Sequence, residues 1–197
     1  MIMGIILIGC FSDNSKIREY DEQGNLYREF SIDADSLIHG TLYTYYENGK
    51  DIFEQSEYNH GQLNGQRILY YPNQIPEIIE QYRNDTISDT LKVFYPNGQI
   101  KRRVPYQSGV LVGVLESFYP AGEIKERVSF ENNLENGPFE EFYKNGFTKW
   151  KGTYLNGENE FGELLHFDST GSMIRKMICD SLAICRTVWS TEQEDPM

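Results

Sequence analysis

The sequence predicts an all-β protein, an elongated antiparallel meander of tandem β-hairpin repeats. Two observations predict this fold class. The chain combines 14 Tyr and 11 Phe with 17 Gly, a mixture typical of strands separated by tight turns. Glycines and aromatic residues also recur with one fixed period of 24 or 25 residues. A fixed period is the signature of a repeat architecture.

Two rows of turn-type residues define the period. They are separated by nine residues in every repeat, so we expect the segment between them to be the rigid part of the unit. The first row consists of Gly40, Gly65, Asp89, Gly113, Gly137 and Gly162. The second row consists of Gly49, Gln74, Gly98, Gly122, Gly146 and Gly171.

Aromatic residues follow the same period. A pair stands five and six residues after each residue of the first row, and a third aromatic stands in the second half of the unit. The pairs are Tyr45-Tyr46, Tyr70-Tyr71, Phe94-Tyr95, Phe118-Tyr119 and Phe142-Tyr143, with Phe167-Asp168 last. The third aromatics are Tyr58, Tyr82, Tyr106, Phe130 and Tyr154.

Each unit is therefore interpreted as a hairpin. Asn-Gly, as in Asn48-Gly49, is a strong hairpin signal because both residues tolerate positive φ. A second turn, such as 133–137, would link one hairpin to the next. The expected core row is apolar, except for one Arg, and includes the second aromatic of each pair. It consists of Leu42, Arg67, Leu91, Leu115, Phe139 and Leu164.

Irregularity is expected at 72–90, where Gln74 and Asp89 replace glycine and Pro76 lies in a strand, since proline cannot donate to a central ladder. The ends should act as caps, because Tyr20–Gly24 and Phe167–Gly171 share an aromatic-Asp-x-x-Gly form and terminal repeats are atypical. The predicted segments are a signal 1–10, a tether 11–19, repeats 20–176, a hairpin cap 177–190 and a disordered tail 191–197.

The N-terminal apolar run is too short to span a bilayer as a helix, which needs about 20 residues. Its end, Leu7-Ile8-Gly9-Cys10, resembles a bacterial lipobox, in which Cys10 becomes the lipidated first residue. This predicts a lipid-anchored protein of the bacterial cell envelope. The alternative is a cytoplasmic protein whose apolar start is not a signal.

With Cys10 set aside, Cys179 and Cys185 form an even pair. They would face each other across a small hairpin and could form a disulfide in an oxidising compartment, or remain two buried free thiols. A zinc site at these cysteines would need further Cys or His ligands nearby, and none follow.

The chain carries 18 basic and 30 acidic residues, a formal charge of −12. This charge repels nucleic acid and suits either a basic protein partner or simple solvation. Catalysis needs different side chains converging in a pocket. His39 and His60 fall in turns between hairpins, and His166 occupies a variable position, so no enzyme, cofactor or metal is predicted.

The unit aromatic-Tyr-Pro-Asn-Gly-x-Ile, seen at Phe94–Ile100, resembles the bacterial MORN-repeat variant, and Leu134–Gly137 fits the same pattern. The resemblance implies a YwqK-type antitoxin or immunity protein, in many cases a lipoprotein, that binds protein or membrane. It implies no catalytic residues. The function hypotheses are a lipoprotein that binds a protein partner, such as a basic toxin, and a structural envelope lipoprotein with no toxin partner.

The first aromatic of each pair is the candidate partner-binding row, because it points away from the core row. Acidic residues such as Glu116 and Glu140 flank it. Rings beside charges are favoured at protein interfaces. The alternative is that the rings cover a sheet that curls on itself. The row consists of Tyr45, Tyr70, Phe94, Phe118 and Phe142.

Overall fold

The computed structural model describes residues 16–157 and 159–191. In these ranges the regular structure is all strand, with no helix. The chain divides into two compact units, Met1–Gly98 and Gln99–Met197. The predictions for Cys10 and for the C-terminal tail after 191 lie outside the described residues.

Unit 1 is a succession of antiparallel strands. Each of the first six strands pairs with the next, and the last two, short strands both pair with β6. The strands are β1 (Ile17–Tyr20), β2 (Leu26–Phe30), β3 (Gly40–Tyr45), β4 (Ile52–Asn59), β5 (Gln62–Tyr70), β6 (Pro76–Arg83), β7 (Thr86–Ile87) and β8 (Leu91–Phe94).

Unit 2 repeats this plan. Strand β9 pairs with β12, β10 pairs with β11, and from β12 onward each strand pairs with the next. The strands are β9 (Ile100–Val104), β10 (Tyr106–Gln107), β11 (Val110–Leu111), β12 (Gly113–Phe118), β13 (Ile124–Glu131), β14 (Leu134–Phe142), β15 (Thr148–Tyr154), β16 (Gly162–Phe167), β17 (Met173–Cys179) and β18 (Cys185–Ser190).

The predicted fold class, an all-β chain of successive antiparallel hairpins, is confirmed. Two segment boundaries differ from the prediction. Strand β1 begins at Ile17 and pairs with β2, so part of the expected tether 11–19 belongs to the fold. Strand β17 begins at Met173 and pairs with β18, so the expected boundary before 177 falls inside a strand.

The turn at Asn48-Gly49 differs from the expected two-residue type. Gly49 has a φ of 63°, but Asn48 does not have a positive φ. The Gly49 N–H donates to the Tyr46 carbonyl and the Tyr46 N–H donates to that of Asp51, at 2.8 and 2.9 Å. This is a type I turn followed by a left-handed glycine, the bulged form of hairpin loop.

The turns with two consecutive positive φ values, the type I′ pattern, are those that join one hairpin to the next. The two positive φ values that the sequence prediction associated with the Asn-Gly turns therefore occur in the linking turns instead. Gly137, expected in the linking turn, lies inside β14, where its φ of 105° accompanies a bulge. The type I′ pairs are His60-Gly61, Asn84-Asp85, Ser108-Gly109, Asn132-Asn133 and Asn156-Gly157.

Two of the type I′ turns are bonded to the strand that follows the preceding type I′ turn. Asp85 donates its N–H to the Leu63 carbonyl at 2.9 Å and accepts the Leu63 N–H on its side chain at 2.8 Å. Asn133 makes the same two bonds to Leu111, at 3.0 and 2.8 Å. Asp and Asn occupy these positions because they tolerate positive φ and carry a side-chain acceptor.

The second aromatic of each pair has a different role from the one predicted. It was placed in the core row, but in four of the pairs its hydroxyl donates to the backbone carbonyl of the first aromatic of the following pair. Each such tyrosine thereby satisfies a carbonyl of the next hairpin. The bonds of this tyrosine ladder are Tyr46 to Tyr70, Tyr71 to Phe94, Tyr119 to Phe142 and Tyr143 to Phe167.

The irregularity expected at 72–90 is present but localised. Gln74 adopts a φ of 61° and so replaces the usual glycine, while Pro76 is the first residue of β6, where proline is tolerated. The break falls around Asp89, between β7 and β8.

The aspartates of the two predicted caps bind the backbone of their own turns. Asp21 accepts the N–H groups of Gln23 and Asn25 at 3.0 and 2.8 Å. Asp168 accepts those of Thr170 and Ser172 at 2.8 and 3.0 Å. The backbone bonds lower the pKa of the Asp21 carboxyl. A bond from the Thr170 hydroxyl, followed by those from the backbone, lowers the pKa of the Asp168 carboxyl. An Asx turn explains why Asp replaces the second Tyr at these positions.

Candidate functional site

The predicted core row continues across the strands of unit 1 from Leu42 through Ser56 and Arg67 to Glu80, and we call it the interior row. This row contains an ion-pair network centred on Arg67. Arg67 donates to both oxygens of Glu54, at 2.8 and 3.1 Å, and to Glu80 at 3.0 Å. Ser56, which is fully buried, donates to Glu54, and the Tyr82 hydroxyl donates to Glu80 at 3.2 Å. The Arg that interrupts the apolar core row is thus paired on both sides.

The network controls the ionisation of Glu54. Burial opposes the charge of Glu54, but hydrogen bonds from Arg67 and Ser56 outweigh it and lower the pKa of this carboxyl. The bond to Glu54 likewise raises the pKa of Arg67. A strongly perturbed group is a candidate functional residue, but paired structural networks have the same effect. Every carboxylate here already has a cation partner, which indicates a structural role.

The equivalent row of unit 2 is apolar. Val128, Phe139, Leu164 and Cys179 are buried in one cluster, with Trp150 and Met177 among the side chains packed against it. The ring of Phe139 stacks on Tyr154 at 4.2 Å. Phe139 lies opposite Gly152, where a Cβ atom would come within 2.7 Å of its ring. The missing side chain of Gly152 therefore makes room for Phe139.

The candidate partner-binding row is less exposed than an interface stripe would be. Phe142 is only 8% exposed, while Tyr45, Tyr70, Phe94 and Phe118 are half-buried. Guanidinium groups cover two of the rings, Arg103 over Phe118 at 5.0 Å and Arg127 over Phe142 at 5.7 Å. This arrangement favours a packing role over a free binding stripe.

The acidic residues expected to flank that row are paired. Glu116 binds Arg103 and Arg127 at 3.0 and 3.4 Å, and Glu140 lies 3.5 Å from Lys151. These are cross-strand pairs on one face. Glu116 and Glu140 therefore do not form an uncompensated acidic border for a partner.

Two of the three histidines come together, which the sequence did not indicate. His39 and His60 lie in different turns, yet their ring centroids are 5.1 Å apart. His60 Nδ1 is 2.6 Å from Asp33 Oδ2. His166 stands elsewhere, stacked on Trp150 at 3.9 Å. His39 and His60 are exposed, as expected of surface residues, but they lie in contact with one another.

Strands β17 and β18 place Cys179 directly opposite Cys185, and in the structure the two form a disulfide. The hairpin around them carries a surface that sequence reasoning missed. Five apolar side chains there are between 40% and 77% exposed. We call this set the C-terminal apolar surface, and it consists of Ile178, Leu182, Ile184, Val188 and Trp189.

Strand β18 also has an edge. Among the described residues it pairs with β17 alone, so the backbone groups on its other side have no strand partner within that range. A cue was present in the sequence, since Leu182, Ile184, Val188 and Trp189 lie in a segment that lacks the repeat pattern.

In the part of the chain that the structure describes, no helix is long and apolar enough to cross a membrane.

The successive hairpins, the recurring type I′ turns and the tyrosine ladder together define the class of this protein as a tandem β-hairpin repeat protein. A family model described as the MORN repeat variant matches residues 38–60, 90–108 and 111–132. Each match ends at the first residue of a type I′ turn, His60, Ser108 or Asn132. These three segments are thus similar to repeats of the MORN type. No curated protein matches it.

Proposed function

We propose that this chain is a non-catalytic, lipid-anchored binding module that holds a basic protein partner on its C-terminal apolar surface. The observation that carries the proposal is the combination of exposed Val188 and Trp189 with the edge of β18. An edge strand accepts an extended segment by backbone hydrogen bonds, while neighbouring apolar side chains supply specificity. Trp is also the residue most enriched among binding hot spots.

Charge argues for the nature of the partner. The chain has a net charge of −12, which steers a basic protein toward it and repels acidic competitors. The finer proposal is that the partner is a toxin and this chain its antitoxin or immunity protein. Acylation of Cys10, suggested by Leu7-Ile8-Gly9-Cys10, would place the complex at the cell envelope.

The test of the surface is site-specific photo-crosslinking in cells. A photoreactive phenylalanine replaces Trp189, which is 42% exposed, in one variant and Val114 of β12, which is 50% exposed, in the control. We expect a covalent adduct with one basic protein at position 189 and none at 114. The purified partner should then bind the native chain, with a loss of at least tenfold for Trp189→Ala.

Adducts of equal yield at both positions, adducts only with a second copy of this chain, or no adduct at all contradict the proposal. The last result favours the structural envelope role instead.

For the antitoxin role, expression of the partner alone should stop growth, and co-expression of this chain but not of Trp189→Ala should restore it. For the anchor, mass spectrometry should find acylated Cys10 as the first residue, and Cys10→Ser should leave the membrane fraction.

A further inference from the structure

One cluster of metal-ligating side chains lies outside the surfaces described above. Asp33 stands in the loop between β2 and β3, His39 directly precedes β3, and His60 opens the type I′ turn between β4 and β5. Each offers one ligand atom, and the three atoms lie within 4.8 Å of one another. We propose that Asp33, His39 and His60 bind a divalent transition-metal ion of the Zn²⁺ type.

The donor set selects this class of ion. Imidazole nitrogens suit zinc, copper and nickel, whereas magnesium and calcium prefer oxygen ligands only. Two histidines and one carboxylate are also the protein ligands of open zinc sites, in which water fills the fourth position. The acidic net charge of −12 favours a cation further.

The distances require only small side-chain movements. Ligand atoms about 2.1 Å from a tetrahedral ion lie roughly 3.4 Å from each other. Asp33 Oδ2 and His60 Nδ1 are closer than this, at 2.6 Å, and the third atom lies within 4.8 Å. The His60 side chain is 62% exposed, so rotation of this ring can open a place for the ion without disturbing packed neighbours.

The backbone of the three residues is already held in place. Asp33 Oδ1 accepts the N–H groups of Asp35 and Leu37, at 2.9 and 3.0 Å, which leaves Oδ2 directed at His60. The His39 N–H donates to Ser31 at 3.0 Å, and the Gly61 N–H donates to Ile38 at 2.8 Å. A site ordered before binding loses little entropy when the ion arrives.

Only one of the described type I′ turns has this chemistry. The position of His60 is filled by Asn84, Ser108, Asn132 and Asn156 in the other turns. The metal site is therefore a property of one repeat and not of the repeat plan. Binding would join the β2–β3 loop to the β4–β5 turn through the metal ion, in addition to the hydrogen bonds that already connect them.

The experiment is calorimetric titration of the full chain with Zn²⁺ after treatment with a chelator. All proteins carry Cys10→Ser and are kept free of reductant, so that thiolates do not compete for the ion. We expect one equivalent bound, no binding of Mg²⁺ or Ca²⁺, and affinity reduced at least tenfold by His39→Ala or His60→Ala. The matched control is His166→Ala, which removes a histidine from unit 2 and should leave the affinity unchanged.

Thermal unfolding supplies a second readout, since an ion that binds only the folded state raises its melting temperature. Zinc should raise the midpoint of the parent and of His166→Ala but not that of His60→Ala. Without zinc the parent and His60→Ala should melt alike, because the His60 side chain is exposed, while His166→Ala is compared only with its own zinc-free midpoint. Should a His39 or His60 alanine variant melt lower than the parent, His39→Gln and His60→Gln take its place. Unchanged affinity in the His39 and His60 variants, or an equal loss in His166→Ala, overturns the site.

Discussion

The interior rows of the two units fill the same strand positions with opposite chemistry. In unit 1 the row runs from Leu42 through Ser56 and Arg67 to Glu80. In unit 2 it runs through Val128, Phe139, Gly152 and Leu164. Both units nevertheless have the same hairpins, type I′ turns and tyrosine ladder. The comparison teaches that the repeat requires neighbours that complement one another in this row, and not apolar residues as such.

The two solutions have different physical costs. Charges removed from water are tolerated only when well paired, and losing one partner leaves the other uncompensated. An apolar row has no such requirement, but it must match in volume. Arg67 between two glutamates satisfies the first condition, and Phe139 facing Gly152 satisfies the second.

The largest effect is expected from Phe139→Ala in the apolar row. Removal of this buried, stacked ring should lower the free energy of unfolding by about 3 to 5 kcal/mol. Urea denaturation followed by tryptophan fluorescence measures it, because both tryptophans of the chain, Trp150 and Trp189, lie in unit 2. The control is Leu134→Ala in the same strand, whose side chain is half exposed. A comparable loss in the control would show that the row is not the core of unit 2.

Arg67→Met should destabilise unit 1 by about 2 to 3 kcal/mol, because it leaves Glu54 and Glu80 partly buried without a cation. Hydrogen-exchange mass spectrometry on peptides from β4 to β6 follows this unit, which contains no tryptophan.

A companion variant separates charge from packing. Glu54→Leu, Arg67→Met and Glu80→Leu combined should lie within about 1 kcal/mol of the parent, since a charge network replaced as a whole is often neutral or stabilising. A triple variant less stable than Arg67→Met alone would mean that unit 1 depends on the charges themselves.

The tyrosine ladder is common to both units, so a variant in it should cost less stability than those above, and the loss should be the same in each unit. Tyr71→Phe in unit 1 and Tyr119→Phe in unit 2 each remove one hydroxyl that binds a backbone carbonyl. Each should cost about 1 kcal/mol of unfolding free energy. Hydrogen exchange measured for both variants checks this. A marked difference between the two losses would contradict the conclusion that the tyrosine ladder has the same role in both units.

Acid should weaken unit 1 through Glu54, and this effect should be the smallest, because burial opposes the hydrogen bonds that lower its pKa. The folded-state pKa lies below the unfolded value of about 4.3. Glu54 therefore contributes stability above that value, and the contribution is lost as the pH falls through the folded-state pKa. Hydrogen exchange at several acidic pH values should show a larger loss for the parent than for the triple variant. Equal losses would refute the assignment.

Several features of the fold followed from short-range patterns in the sequence. The period, the hairpins and the exceptional Arg67 were all predicted. The aromatic-Asp-x-x-Gly turns at Asp21 and Asp168 were recognised, although strands β17 and β18 follow the second of them. The turn types were not, because Asn-Gly suits both a type I′ turn and a bulged type I turn. Strand pairing decides between these two. The ladder role of Tyr46 and its equivalents was also missed, since the carbonyl that each hydroxyl binds is 23 or 24 residues away.

The candidate sites depended still more on tertiary structure. His39 and His60 are 21 residues apart, and only the placement of the β2–β3 loop beside the β4–β5 turn brings them near Asp33. The repeat period of 24 or 25 residues is close to this separation. It was the sequence signal that could have indicated that His39 and His60 lie near each other. The exposure of Trp189 likewise follows from its place on a strand with one described neighbour.

By itself the sequence determined that this protein is a series of β-hairpins, because turn residues and alternating side chains act over a few residues. Tertiary structure decided which turn is of which type, how Arg67 is compensated, and which side chains from different repeats meet. Those outcomes depend on register and on distances across strands. A one-residue change in register moves every side chain to the opposite face, and spacing along the chain does not encode such distances.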